Sequence, residues 1–315
     1  PGVVTESSKK TTSLSPALFD LTSLQREANS RFGFPAKMTL AIAQRLYERH
    51  KVLTYPRTDA RALPEDYLPT VLETIGHIGK MDAYSGFSRA ILDNGWVKPD
   101  KRVFDNTKIS DHFAIIPTGE LPKSLEETEQ KVYDLVVRRF MSVFYPVAEY
   151  NVTTRKTIVE NECFLTEGKV LVKAGWLEVA GRAGKTSSDL VPVGDKEVVS
   201  TLEMELKADQ TRPPARFTDA TLLTAMESAG KKLETGELRD AMAEKGLGTP
   251  ATRAQTIEGL IEQKYLRREG RELIPNAKAF QLMQLVRGLR IDELTQPKLT
   301  AEWEHKLSLI EHGQV

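Results

Sequence analysis

Thr54-Tyr55-Pro56-Arg57-Thr58-Asp59 is the stretch on which the reading of this chain turns. It follows an amphipathic helical pattern from Lys37 to Arg49, with Met38, Ile42 and Leu46 on one face and Gln44, Arg45, Glu48 and Arg49 elsewhere. The apolar pair Val52-Leu53 reads as an extended entry. Pro56 biases Tyr55 away from helix and fixes the backbone just after it. In an extended chain, residues i and i+2 point to one side, so Tyr55 and Arg57 are expected to face one target together. A phenol attacks only as its phenolate, a form populated to ~0.1% at neutral pH for an ordinary tyrosine. A neighbouring cation favours that form, and a guanidinium grips phosphate with two parallel donors. The pair therefore suits attack on a phosphodiester. A tyrosine packed in a proline turn, without chemistry, is the alternative reading of the same residues.

The length of 315 residues suggests two or three domains, at roughly 100–200 residues each. No apolar run approaches the ~20 residues that a membrane span needs. The single cysteine, Cys163, excludes an internal disulfide framework and a cysteine-rich zinc site, and fits a reducing cytoplasm. Lys plus Arg equals Asp plus Glu at 44 each, so the net charge is zero. That balance argues against a highly basic DNA-coating protein but not against nucleic-acid binding, which depends on how charge is distributed. The first residues, Pro1-Gly2-Val3-Val4, carry neither a start methionine nor an apolar signal segment, so the chain reads as a piece of a longer protein.

Taken in order, residues 1–16 are polar and look like a linker or a severed edge segment. Asp20 or Thr22 can cap a helix carrying Leu24 and Ala28. Pro64-Glu65-Asp66 starts another, continuing through Val71 and Ile75, and residues 93–108 read as loop. In Ser110-Asp111-His112-Phe113-Ala114-Ile115-Ile116-Pro117-Thr118-Gly119, His112 precedes an apolar run and is either a cap or a site residue. A core helix is predicted over about 124–145. The period then changes to two: Val152–Val159 and Val198–Leu206 read as strands, Cys163–Val172 as a hairpin turning at Glu167-Gly168, and 181–196 as a loose loop. The last third is helical. Thr218 caps a helix bearing Leu222, Leu223 and Met226, and a short helix covers about Gly236–Lys245. Thr249 and Pro250 then occupy the N-cap and first position of the next helix. A basic hairpin, Leu266–Ile274 with Glu269-Gly270 at its tip, follows. Helices followed by a basic hairpin is the order of a winged helix, and the Thr249–Thr252 helix start suits a phosphate. A small helical domain with capped helices is the alternative.

Five stretches together resemble the type IA DNA topoisomerases, the bacterial topoisomerase III branch most closely: Phe19–Ala28, Tyr55–Asp59, Asp111–Thr118, Arg212–Thr218 and Gly246–Arg253. Leu299-Thr300-Ala301-Glu302-Trp303-Glu304 also resembles a motif near the end of that family's core. The resemblance implies an α+β multidomain fold. Its parts would be a residual arch segment or linker over 1–16, a gate domain over 17–148, an antiparallel β arch segment over 149–209 and a winged-helix-like single-strand DNA-binding domain over 210–315. It implies ATP-independent cleavage of one DNA strand by Tyr55 through a 5′-phosphotyrosine link, strand passage, and religation by the freed 3′-OH. Arg57 would hold the scissile phosphate, His112 would add a phosphate contact, and Asp59 would orient Arg57 or its neighbours. Thr58, Arg216, Thr249, Thr252 and Arg253 would contact DNA.

The family's acidic metal site lies in an N-terminal Toprim domain, and this chain has no Asp-x-Asp-x-Asp cluster. The resemblance therefore implies Mg²⁺ bound by an absent Toprim domain, with no metal ligands here. It implies partners in single-stranded and underwound duplex DNA and in that domain, no membrane, a monomer, and a bacterial cytoplasm with nucleoid or plasmid association. The isolated chain is expected to be inactive. A non-catalytic winged-helix DNA-binding module is the competing reading.

Overall fold

The computed structural model describes residues 1–109, 111–181, 187–188, 190–194, 196–233, 236–243, 246–311 and 313. The elements run β1 (Gly2–Ser13), α1 (Leu21–Phe32), α2 (Ala36–Glu48), α3 (Leu68–Ile78), α4 (Asp82–Asp93), α5 (Glu127–Ser142), β2 (Ala148–Val159), β3 (Glu162–Lys173) and α6 (Trp176–Val179). There follow β4 (Ser187–Ser188), β5 (Val198–Val199), α7 (Asp219–Glu227), α8 (Gly236–Ala243), α9 (Pro250–Glu262), β6 (Leu266–Glu269), β7 (Glu272–Pro275), α10 (Ala277–Gly288) and α11 (Lys298–Glu311). Antiparallel sheets and separate helices make the fold α+β. It forms two compact units: 1–18, 64–105 and 137–213 in one, and 19–63, 106–136 and 214–315 in the other.

The first unit holds an antiparallel sheet in the order β4-β3-β2-β1-β5. β1 pairs with β2 along its whole length, from Gly2 opposite Val159 to Ser13 opposite Ala148. Most of the stretch read as a linker or edge segment is therefore a 12-residue strand. The hairpin joining β2 and β3 turns at Glu160-Asn161, both at positive φ (48° and 71°), as a two-residue turn requires. The expected turn at Glu167-Gly168 is corrected: those residues lie inside β3, opposite Thr154 and Thr153. Asparagine tolerates the left-handed region, so no glycine was needed at the true corner. The expected strand over 198–206 shrinks to Val198-Val199. Its register sets Val199 opposite Gly2, so residue 200 onward runs past the end of β1 and finds no ladder there. Leu202 and Leu206 are accordingly 96% and 97% exposed. Of the loop predicted over 181–196, residues 182–186, 189 and 195 lie outside the described residues, and Ser187-Ser188 form β4. Ala148, Tyr150, Trp176 and Leu177 form a core cluster under the sheet, and the Trp176 indole donates to the Ser13 carbonyl at 2.9 Å.

In the second unit, helix starts and stops follow the sequence closely. Asp20 and Ser23 form a reciprocal capping box on α1, and Gly33 ends that helix at φ 74°. Thr218 and Thr221 cap α7 in the same way, as do Thr249 and Thr252 on α9. Ala36, Leu223, Ala254, Ile257 and Leu273 bury against one another, joining α2, α7, α9 and β7. The helix–helix–helix–hairpin order expected of a winged helix is present as α7, α8, α9 and β6–β7. The hairpin arginines, however, have partners inside the unit. Arg267 reaches Glu269 and Asn276, Arg268 reaches Asp219 and Glu258, and Arg271 reaches the Ser30 carbonyl.

Glu129 of α5 is fixed beside α2. Its side chain is 1% exposed, and it accepts from Arg45 Nε at 2.8 Å and from the Glu126 amide at 3.1 Å. His50 Nε2 approaches to 3.1 Å without hydrogen-bond alignment. Burial opposes the ionisation of Glu129, but these neighbours outweigh it and hold its pKa below the ordinary value of 4.5. A depressed carboxyl pKa contributes stability above the unfolded value, and that contribution is lost as pH falls through the folded value. The melting midpoint should therefore drop on acidification below the ordinary value of 4.5. Glu129→Gln should flatten that acid limb and lower the midpoint at neutral pH. A variant that keeps the full acid dependence would remove Glu129 as its source.

Candidate active site around Tyr55

The Tyr55 loop is built from α2 outward. The helix ends at Glu48, Lys51 turns the chain at φ 60°, and Val52-Leu53 are buried. Leu53 then bridges Pro117, with backbone bonds from Thr54 to Ile116 and from Thr118 to Val52. The segment after His112 is thus a strand-like rail along the loop. Two threonines flanking Tyr55-Pro56-Arg57 pin it to that rail. Thr54 Oγ1 donates to the Ala114 carbonyl at 3.0 Å and accepts from the Ile116 amide at 2.9 Å. Thr58 Oγ1 donates to the His112 carbonyl at 3.1 Å and accepts from the Ala60 amide at 3.1 Å.

The result is a close pair of rings. Tyr55 and His112 lie 4.4 Å apart between centroids, tilted by 48°. Tyr47, on α2, meets the Tyr55 ring edge-on at 5.4 Å. Tyr55 is half-buried, and Arg57 and His112 are exposed. With the Gln44 amide placed so that its oxygen meets donors, Gln44 Oε1 accepts from Arg57 Nε at 3.1 Å and Nη2 at 3.0 Å. Gln44 and Tyr47 are three residues apart and so share a helix face. Tyr55 and Arg57 therefore lie over one face of α2.

A cleft of about 800 Å³ adjoins this loop. Its walls include Asp59 and Arg61 from just beyond Tyr55, Asp20 and Thr22 at the start of α1, and the Gly246–Arg253 turn that opens α9. Gly246 permits this turn: at φ 65°, an added Cβ would stand 2.6 Å from the Met226 carbonyl and 2.7 Å from that of Glu227. The cleft carries both signs of charge. Arg61 pairs with Asp20 at 2.7 Å and Glu227 at 3.0 Å. Burial alone would weaken its charge, but the carboxylates outweigh burial and raise its pKa. Arg253 goes the other way, its pKa lowered by burial, against the attraction of Glu227, Asp20 and Asp59.

Most of the residues singled out from sequence fall in or beside this region. Tyr55, Arg57 and His112 come together, and Asp59 faces the cleft. Thr249 lines the cleft, and its hydroxyl lies 3.1 Å from that of Thr252. Arg216 is apart from them on the hairpin side, 3.8 Å from Glu272. Thr58, expected to touch DNA, is 3% exposed, and both roles of its hydroxyl are taken within the protein. Arg253 is also 3% exposed, and its guanidinium braces the cleft by donating to the Leu247 carbonyl and Thr22 Oγ1, each at 3.1 Å. Gln44, Tyr47 and Thr54 were not singled out. The signal for the first two was their i, i+3 spacing just ahead of the loop. Among the described residues no group of three or more His, Cys, Asp or Glu could hold a metal ion.

A family model described as DNA topoisomerase matches residues 2–315. The DNA topoisomerase 3 of Bacillus cereus is 40% identical over 99% of this chain and 44% of that protein. The DNA topoisomerase 3 of Bacillus subtilis is 39% identical over 96% of this chain and 42% of that protein. The chain thus spans less than half the length of these curated relatives. The structure of full-length topoisomerase I from Thermotoga maritima shares the fold, with a TM-score of 0.72 over 99% of this chain and 49% of that one at 22% identity. Motif order, fold and a match along nearly the whole sequence place this chain in the type IA DNA topoisomerase family.

Proposed function

We propose that this chain supplies the nucleophile and the phosphate clamp of a DNA strand-passage enzyme, with the metal-bearing Toprim domain supplied separately. The observation that carries the reading is the ring pair of Tyr55 and His112 at 4.4 Å, with Arg57 two residues on and both flanking threonines tied to the His112 rail. In the cleavage step, Tyr55 Oη forms a bond to phosphorus and loses its proton. The bond from phosphorus to the 3′ oxygen breaks, and that oxygen leaves as a hydroxyl after taking up a proton. One phosphoester replaces another, so no ATP is consumed. Arg57 binds the non-bridging oxygens as their charge grows, and His112 lies beside the attacking ring. Religation runs the same exchange backwards once a strand has passed.

In this reading the gate is residues 17–148 and the arch segment 149–209, preceded by residues 1–16. Residues 210–315 hold the single strand in winged-helix fashion. Thr249, Thr252, Arg253 and Arg216 border its path, and Asp59 sits at the cleft mouth. The protein acts as a monomer on single-stranded or underwound DNA in a bacterial cytoplasm. No helix among the described residues is long and apolar enough to cross a membrane, which is compatible with that setting.

The purified chain alone should leave supercoiled plasmid unrelaxed, and relaxation should appear when a Toprim domain and Mg²⁺ are added. Relaxation by the chain alone would contradict this division of labour. A non-catalytic DNA-binding module predicts no relaxation under either condition.

A further inference from the structure

We propose that Gln44 is a positioning residue: it holds one edge of the Arg57 guanidinium so that the other edge stays open for phosphate. This rests on the clamp role of Arg57 proposed above. Arg57 is exposed, and a free arginine side chain samples many rotamers. Gln44 is half-buried on α2, between the buried Ala43 and a helix turn that also carries the buried Leu46. Its amide oxygen accepts from both Nε and Nη2, at 3.1 and 3.0 Å. Those two donors form one side of the fork. The Nη1 hydrogens and the second Nη2 hydrogen remain, on the edge that can grip two phosphate oxygens.

The choice of an amide has a chemical reason. A carboxylate here would hold the guanidinium in the same place but neutralise the charge that phosphate needs. An apolar side chain would leave the charge but release the geometry. Glutamine fixes the fork and keeps it cationic. One turn further along the same helix face, Tyr47 meets Tyr55. α2 therefore sets the nucleophile and its clamp in common register.

The test uses the chain itself, labelled with ¹⁵N. Arg57 Nε–H should exchange with water about tenfold more slowly in the wild type than in Gln44→Leu, the scale expected of a hydrogen bond to a charged group. Gln44→Glu should keep the slow exchange. Affinity for an oligothymidylate is the second readout. Gln44→Leu and Gln44→Glu should each weaken it several-fold, and Gln44→Leu should not weaken it further in an Arg57→Ala background, since coupled residues do not add. Unchanged Nε–H exchange in Gln44→Leu overturns the proposal, as do additive losses with Arg57→Ala. If the wild-type chain fails to bind the oligonucleotide, the functional reading falls, and the exchange measurement still decides the role of Gln44.

Discussion

Replacing Arg57 by alanine should slow strand cleavage by about 10²–10³-fold, the usual cost of removing one preorganised donor from developing negative charge. The measurement is the rate of covalent adduct formation on a labelled single strand, with the Toprim domain added. The physical reason lies in what the guanidinium meets. In the ground state it faces a phosphate that water also solvates, so binding should weaken only several-fold. In the transition state the non-bridging oxygens gather charge at a place where Gln44 already holds the fork, and no side-chain order has then to be found. Arg57→Lys keeps the charge but loses the planar fork, so it should recover only part of the rate. An alanine variant that cleaves within a few-fold of wild type would sink the clamp role.

Arg268→Met should destabilise the protein by ~3 kcal/mol, the lower end of the cost of breaking a buried ion pair from one side, because the Arg268 side chain is 24% exposed. Arg268 Nη2 lies 2.9 Å from Asp219 Oδ1 and 2.6 Å from Glu258 Oε1. Burial alone would lower its pKa, but the two carboxylates raise it well beyond the ordinary value. The Asp219 side chain is 3% exposed and also accepts from the Ala36 amide, at 3.4 Å, where α2 begins. Without the cation, two carboxylates remain close together at the joint of α2, α7, α9 and the hairpin. The melting midpoint should fall on the order of 10 °C. Neutralising both carboxylates in the same variant, as Asp219→Asn with Glu258→Gln, should restore part of the loss. A midpoint within about 2 °C of wild type, equivalent to less than ~1 kcal/mol, would show that this cluster is not what holds the joint.

What the sequence could and could not show divides along physical lines. The helix before Tyr55 was legible because its apolar spacing is regular and Pro56 marks the exit, and α2 ends one residue from the expected boundary. The caps at Asp20, Thr218 and Thr249 were legible because N-cap chemistry is local. The hairpin corner was misread because Gly168 advertises a turn, whereas Asn161 can take positive φ without being glycine. The strand after Val199 was misread because alternation reports an amphipathic surface and not the presence of a partner edge. The basic hairpin reads from sequence as the wing of a winged helix, yet its arginines face carboxylates and carbonyls brought there by the fold. No local pattern could place His112 beside Tyr55. The two are far apart in sequence, and what joins them is a pair of hydroxyls on Thr54 and Thr58 bonded to the opposite rail. Motif order supplied that pairing through family resemblance, and the hydrogen bonds explain it.

Tyr55 is proposed to be the point of attachment between this chain and DNA. The direct measurement is to mix the chain with a Toprim domain and a short single strand, quench under denaturing conditions, digest, and locate the DNA-linked peptide by mass. A 5′-phosphate ester is expected on the peptide containing Tyr55 and should be absent from Tyr55→Phe. A link at any other residue, or an adduct that survives in Tyr55→Phe, would contradict it.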